Sequence, residues 1–135
     1  MLAAPRNHPF AAGRDPTIED MDRQPFIMYS PTEGRYFYDL LSGVFKMAEI
    51  MPNYVQYISQ THTMLALVSA GIGIALVPES ARSLHFDGIV LRPIRLNSKT
   101  VAELFLVWRR SNQNPALLIF RDLLLNKFLK NADPG

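Results

Sequence analysis

The chain of 135 residues contains no cysteine, which excludes disulfide bonds and thiolate metal ligands. The segment Met1–Arg6 has no apolar core and is therefore not a secretory signal. The longest apolar run, Met64–Pro78, is too short and too rich in glycine to span a bilayer. With 48% apolar residues the chain is long enough to bury a core. We therefore expect one soluble, cytosolic domain that does not associate with membranes.

Charge is scarce, and the positive charge is unevenly placed. The formal net charge is only +2, and residues 91–130 hold eight basic side chains against Glu103 and Asp122. One interpretation is an anionic partner, and the other is a solvated strand end and helix face. No aromatic stacking platform interleaves with these basic residues, which weakens the case for nucleic-acid binding. The basic residues are Arg92, Arg95, Lys99, Arg109, Arg110, Arg121, Lys127 and Lys130.

Hydrophobic periodicity predicts alternating strands and helices after a loop at residues 1–16. A short helical turn is expected at Thr17–Met21, where Asp20 can reach back to Thr17. The order of elements favours an α/β fold, with a right-handed parallel β-α-β unit over residues 53–77. Strands are predicted at 25–30, 53–59, 72–77, 89–94 and 101–108, and helices at 35–50, 61–70, 78–82 and from Asn114–Pro115 onward.

The predicted helix 35–50 carries apolar residues on two sides. One stripe holds Phe37, Leu40, Leu41, Val44, Met47 and Met51, and Tyr38 and Phe45 widen it. Such a helix is either deeply buried or in contact with a partner.

The pair Gly71 and Gly73 lies between a predicted helix and a predicted strand. A dinucleotide-binding loop would have the opposite order, following a strand and opening a helix, and would need a third glycine. We therefore expect Gly71 to end the helix in a left-handed conformation and Gly73 to permit close packing.

Residues for catalysis or metal binding are not arranged in a recognisable pattern. His8, His62 and His85 have no ligand-type spacing, and no serine lies in a Gly-x-Ser-x-Gly turn. We expect neither an enzyme nor a metal or cofactor site.

Two predicted helix starts are better candidates for a binding site. Each follows a strand in parallel order, so both should face the carboxyl edge of the sheet, where the free N–H groups favour an anion. The alternative is that Thr32, Ser59 and Thr61 only cap these helices, and spacing does not separate the two hypotheses. The candidate donors are Ser30, Thr32, Arg35 and Tyr36 at the first start, and Ser59, Thr61, His62 and Thr63 at the second.

Several segments, taken in order, resemble one known family. They are His8–Ala11, Asp20–Met21, Pro25–Tyr29, Leu65–Ser80 (Leu-Ala-Leu-Val-Ser-Ala-Gly-Ile-Gly-Ile-Ala-Leu-Val-Pro-Glu-Ser), Val90–Ile94, Leu104–Arg109 and the helix from Asn114–Pro115. This set resembles the effector-binding domain of LysR-type transcriptional regulators.

The resemblance implies an α/β, periplasmic-binding-protein type II-like fold, with a parallel-rich sheet flanked by helices. It implies a cytoplasmic bacterial regulator that senses a small-molecule effector, often a carboxylate or aromatic acid, and acts as a homo-oligomer. Ser30–Pro31–Thr32 and Thr61–His62–Thr63 would contact the effector. The family's helix-turn-helix and the front of its first lobe have no counterpart here, so DNA contact by this sequence is not expected.

On this resemblance, residues 1–94 form the second lobe and residues 95–135 a remnant of the first. The alternative is an oligomerisation or interaction module without ligand binding, suggested by the apolar helices 35–50 and 114–130.

Overall fold

A computed structural model describes residues 1–96, 103 and 105–129 of the chain. The chain divides into two compact units, residues 1–102 and 103–135, and each is considered by itself.

The first unit contains five strands and two α-helices among its described residues. The strands predicted at 25–30, 53–59 and 89–94 and the helices predicted at 35–50 and 61–70 are confirmed, and each is shorter than expected only at its carboxyl end. The elements are β1 Leu2–Pro5, β2 Pro25–Tyr29, α1 Arg35–Met47, β3 Asn53–Ile58, α2 Thr61–Ser69, β4 Ala75–Leu76 and β5 Ile89–Arg92, with 3₁₀ turns at Pro9–Ala11, Glu19–Met21 and Glu79–Leu84.

The prediction of a loop over residues 1–16 was wrong at its beginning. Leu2–Pro5 forms β1, which pairs antiparallel with β4 on one side and with β5 on the other. Leu2, Ala3 and Ala4 are completely buried. Small residues such as alanine are weak strand formers, so it is the two neighbouring strands that make this segment a strand.

Of the strand predicted at 72–77, only Ala75–Leu76 forms β4, because the segment pairs with two different strands in succession. Ile74 forms a parallel bridge with Phe26 of β2, and Ala75–Leu76 then pairs with β1. The strand pairing is mixed. It is parallel between β2 and β3 and at Ile74, and antiparallel on both sides of β1.

The core of the first unit lies between these strands and one side each of α1 and α2. Phe26 is fully buried at its centre, with its ring edge-on to Phe45 at 5.2 Å and to Tyr54 at 6.3 Å. In α1, Leu41 and Phe45 are buried, whereas Met47 is 75% exposed. Met51, placed on the same predicted stripe, is 77% exposed because α1 ends before it. Leu41 and Phe45 therefore belong to the core, whereas Met47 and Met51 lie at the surface.

Both α-helices of this unit end in the same hydrogen-bonded motif. At α2, Gly71 N–H donates to the Val68 carbonyl at 2.9 Å and Ile72 N–H to the Leu67 carbonyl at 3.1 Å. Gly71 has φ +77°, as predicted for the residue that ends the helix. At α1 the same position is taken by Glu49, with φ +55°. A left-handed conformation is costly for a residue with a Cβ atom, so α1 ends under strain.

Replacing Glu49 by glycine is expected to raise the free energy of unfolding by about 0.5–1 kcal/mol, because glycine adopts this φ without strain. The matched change Gly71→Ala introduces the same strain at α2 and should lower it by about 1 kcal/mol. Urea denaturation of both variants measures the two effects. A change of the same sign in both variants, or no change in either, would show that the left-handed conformation at these two positions does not set the cost.

Gly73 allows β2 and the chain at Ile74 to approach each other closely. A Cβ atom on Gly73 would lie 2.7 Å from the Pro25 carbonyl oxygen. The approach is needed because Ile74 N–H donates to that same carbonyl at 2.9 Å and Ile27 N–H donates to the Ile74 carbonyl at 2.8 Å. The predicted packing role of Gly73 is confirmed.

The second unit contains α3, Pro115–Leu129. Its start is capped by Asn114, whose side chain accepts a hydrogen bond from Ala116 N–H at 3.0 Å. The strand expected at 101–108 is described only at residues 103 and 105–108, which form no strand. The described residues of the second unit contain no strand with which this segment could pair. Val101, Ala102 and Leu104 of the predicted strand lie outside the described residues.

The apolar residues of α3 do not form one buried stripe. Phe120 and Phe128 are 53% and 59% exposed, and Ile119 is 69% exposed. Among the helices that the structure describes, none has the length and apolarity needed to cross a membrane.

Candidate functional site

The carboxyl ends of four strands meet at one edge of the first unit. Strand β2 runs parallel to β3 and to the chain at Ile74, and β4 and β5 run parallel to each other because both are antiparallel to β1. Helices α1 and α2 begin just after β2 and β3, so both helix N-termini lie at this edge. In sheets of this kind the carboxyl edge is where ligands bind.

Neither of these helices is capped by a side chain. The residues before them, Gly34 and Gln60, make no capping hydrogen bond through their side chains. The capping positions themselves are thus not occupied by Thr32, Ser59 or Thr61, and the alternative that these residues only cap the helices stays a hypothesis. Both helix starts carry the positive end of the helix dipole, which favours an anion.

Ser30 organises the loop between β2 and α1. Its hydroxyl oxygen accepts hydrogen bonds from the N–H groups of Thr32 at 3.4 Å and Glu33 at 3.3 Å, and it lies 3.1 Å from the Thr32 hydroxyl. Pro31 and Thr32 are exposed at the tip. The loop therefore presents two hydroxyl groups in a fixed arrangement at the sheet edge.

Tyr29 connects the two helix starts. Its hydroxyl lies 3.1 Å from the Thr61 hydroxyl at the first residue of α2, and its ring stacks on Phe37 of α1 at 4.8 Å with an angle of 27° between the planes. Tyr29 is only 1% exposed. Burial raises the pKa of its phenol and outweighs the opposite effect of the hydrogen bond to Thr61, so the phenol stays neutral at pH 7.

The other predicted site residues are placed less centrally. His62 is exposed and packs edge-on against Phe86 at 4.8 Å, and Thr63 is exposed beside it. Arg35 forms an ion pair with Asp39 one turn along α1, at 3.4 Å. Tyr36 is 47% exposed, with its ring edge-on to Phe37 at 5.3 Å. The structure thus joins Ser30 with Thr32 and Tyr29 with Thr61, but it does not direct Arg35 toward either pair.

An open cavity of about 390 Å³ lies at the same edge. Its walls come from the ends of β2, β4 and β5 and the first turns of α1. The lining residues are Met1, Tyr29, Phe37, Leu40, Leu41, Leu76, Val77, Pro78, Glu79, Ile94 and Leu96. None of these residues, Tyr29 included, was predicted from the sequence as a site residue. The sequence signal that could have found them is the position of the strand ends, since Pro78 and Ile94 lie two residues after β4 and β5, which run toward this edge.

The described residues contain no cluster of His, Asp or Glu that could hold a metal ion. The chemistry available at the edge is therefore hydrogen bonding from hydroxyl and N–H groups beside an apolar wall.

Two bacterial transcription regulators are similar to this chain. The uncharacterized HTH-type transcriptional regulator YnfL of Escherichia coli (strain K12) is 31% identical over 93% of the chain, and AlsR of Bacillus subtilis (strain 168) is 32% identical over 89%. The matched regions are 42% and 39% of those proteins, so the chain spans about two fifths of the length of these relatives.

Solved effector-binding domains share the fold. The domain of QuiR in complex with shikimate matches 96% of this chain and 60% of its own, with a TM-score of 0.74 and 22% identity. The BenM domain with its effector benzoate matches 70% of this chain and 43% of its own, with a TM-score of 0.63 and 23% identity. The α/β, periplasmic-binding-protein type II-like fold is thereby confirmed.

A family model agrees with these likenesses. The model described as the LysR substrate binding domain matches residues 1–129, nearly the whole sequence. The resemblance found in the sequence is confirmed, and the chain belongs to the LysR substrate-binding domain family.

Proposed function

We propose that this chain is the effector-sensing part of a bacterial LysR-type transcription regulator, in which a small organic carboxylate or aromatic acid binds at the carboxyl edge of the first unit. One observation carries the proposal. The hydrogen bond between Tyr29 and Thr61 joins two uncapped helix starts beside a cavity. Backbone N–H groups at such helix starts are suited to a carboxylate, and the cavity is suited to its apolar body.

The proposed contacts come from both helix starts. Ser30–Pro31–Thr32, Arg35 and Tyr36 belong to the first start, and Thr61–His62–Thr63 to the second. Support comes from the position of these residues at one edge and from the two solved relatives, whose ligands, benzoate and shikimate, are both carboxylates.

The proposed division of the domain follows the resemblance. Residues 1–94 would be the second lobe, and residues 95–135 would belong to the first. Ligand binding would change the equilibrium between lobe arrangements, and a homo-oligomer would pass that change to DNA-binding heads outside this sequence. Such switching requires that the ligand bind one arrangement more tightly than the other.

Removing one hydroxyl at the proposed site should weaken ligand binding. Thr61→Val and Ser30→Ala each remove a donor, and we expect about a tenfold loss of affinity for the acids that bind. Thermal shift and isothermal titration calorimetry with benzoate and shikimate measure it. Ser42→Ala, on α1 but outside the cavity lining, is the matched control and should bind like the parent chain.

A second candidate function is an interaction module without a ligand. It is favoured by the apolar residues exposed around α3, of which Ile119 and Phe128 are examples. The absence of any ligand-induced rise in melting temperature, together with a concentration-dependent oligomer, would favour this candidate.

If Thr61→Val, Ser30→Ala and the control Ser42→Ala all bind the acids with equal affinity, the ligand does not bind at the proposed site.

A further inference from the structure

We infer that the 3₁₀ turn Pro9–Ala11 is a pH-sensitive element, which the unprotonated imidazole of His8 holds closed and which opens when His8 takes up a proton at mildly acidic pH. Opening of the turn would weaken the attachment of residues 11–15, which follow the turn, to strand β5. The inference concerns the folded chain itself and does not depend on which ligand the chain binds.

His8 caps this turn through an acceptor that only the unprotonated ring has. Its Nδ1 atom accepts a hydrogen bond from the Phe10 N–H group at 3.2 Å. Pro9, the first residue of the turn, has no N–H group, so Phe10 carries the first one that needs a partner. The neutral ring therefore holds its proton on Nε2. A proton on Nδ1 would place two N–H groups against each other, and the cap would be lost.

The immediate surroundings of the imidazole do not favour its charged form. The ring packs against that of Phe10, with the centroids 4.7 Å apart. Arg6, two residues earlier, is exposed, and within the described residues no carboxylate forms an ion pair with His8. Partial burial lowers the pKa of the His8 imidazole below its usual value.

The charged groups of the packed elements do not supply a counter-ion either. The turn contacts β1, which has no titratable side chain, and β5, which contributes Arg92. In the loop that follows the turn, Asp15 is paired with Arg92 and Arg14 with Asp20. Both carboxylates therefore have a partner already, and a proton on His8 would add a positive charge to a segment that contains arginines.

Arg92, the last residue of β5, connects the turn to the sheet. It donates to the carbonyl of Ala11, at the end of the turn, at 3.4 Å, and to the Gly13 carbonyl and an Asp15 carboxylate oxygen, both at 3.0 Å. Its Nε atom is buried and has no hydrogen-bond partner among the described residues. The guanidinium thus depends on residues 11–15 for its hydrogen bonds, and an opened turn would displace the first of these acceptors.

The lowered pKa gives the direction of the effect. The folded chain binds a proton at His8 less readily than the unfolded chain does. The contribution of the cap to stability is therefore fully present above the usual histidine pKa of about 6.5, and it is lost as the pH falls through the lower pKa of the folded chain.

An NMR titration of the histidines in the full chain tests the inference directly. His8 should titrate below the usual histidine pKa, its neutral form should carry the proton on Nε2, and the Phe10 amide proton should shift with the same midpoint. Hydrogen exchange of Ala11, whose N–H donates to the His8 carbonyl at 2.8 Å, should accelerate about fivefold beyond its intrinsic pH dependence. Titration of His8 at or above the usual value, or a Phe10 amide that does not follow it, would overturn the inference.

His8→Asn is the matched variant, because the asparagine side chain can accept the same hydrogen bond and does not titrate. Between about pH 7.5 and about pH 5, the melting temperature of the parent chain should fall by about 4 °C more than that of His8→Asn. His62 and His85 are present in both chains, so the difference reports on His8 alone. An equal pH dependence of the two chains contradicts the inference.

His8→Ala removes the cap at every pH and provides the opposite comparison. At neutral pH it should melt about 4 °C below His8→Asn, and at acidic pH it should melt close to the parent chain. A variant that melts with the parent chain at neutral pH would show that the His8 side chain does not hold the turn. If either variant fails to fold, the NMR titration of the parent chain still decides.

Discussion

Replacing Gly73 by alanine is expected to lower the free energy of unfolding by about 3 kcal/mol. The new Cβ atom would lie 2.7 Å from the Pro25 carbonyl oxygen and 3.0 Å from its carbonyl carbon. These are backbone atoms, which cannot swing aside as a flexible side chain does. Either β2 separates from the chain at Ile74, or the two hydrogen bonds between them are stretched. Urea denaturation followed by circular dichroism measures the loss.

Gly43→Ala is the matched control for this substitution. Gly43 is exposed on α1 and has no heavy atom within 4 Å of the position of a Cβ atom. Alanine should therefore raise the free energy of unfolding by up to about 1 kcal/mol, through its better helix propensity. A loss of similar size in both variants would mean that the steric explanation for Gly73 is incorrect.

Replacing Phe26 by alanine should cost about 4 kcal/mol of unfolding free energy. Phe26 is fully buried, and its ring contacts those of Phe45 and Tyr54. Its backbone also forms the bridge to Ile74, so a collapse of the cavity would have to move the strand that holds Gly73. Because that movement is restricted, we expect a large residual cavity and a cost near the upper part of the usual range. Chemical denaturation at 25 °C provides the value.

A double-mutant cycle separates the ring contact from simple burial. Phe26→Leu and Phe45→Leu keep most of the buried volume and should each cost about 1 kcal/mol. The edge-on geometry at 5.2 Å predicts a coupling energy of about 1 kcal/mol between the two positions. If the two single changes add within 0.3 kcal/mol, which is the usual agreement for independent sites, the aromatic geometry contributes nothing beyond burial.

The elements with strong local signals could be predicted from the sequence. The apolar periodicity and the flanking prolines located β2 and α1, and Gly71 located the end of α2, where the φ of +77° is one that glycine adopts without cost. The short strand β1 could not be found in this way. Its small residues have little strand propensity, and its position depends on β4 and β5, which lie more than 70 residues away in the sequence.

The side-chain arrangement at the carboxyl edge was predicted only in part, for a similar reason. The order of strands and helices places Ser30 and Thr61 at the same edge, but the hydrogen bond between Tyr29 and Thr61 joins residues 32 positions apart. Local patterns contain no information about such a pair. In contrast, Arg35 was expected to face the ligand, although an acidic residue four positions later on the same helix face could have indicated its ion pair with Asp39.

Strands β1 and β5 give the first unit an unusual response to force. They are antiparallel neighbours, so Leu2 and Arg92 lie opposite each other at one end of the four paired positions. A pull applied to the chain at these two residues would load the first pair alone, and the remaining pairs would open one after another. The strands would therefore peel apart pair by pair, at a lower force than if all four pairs were loaded together.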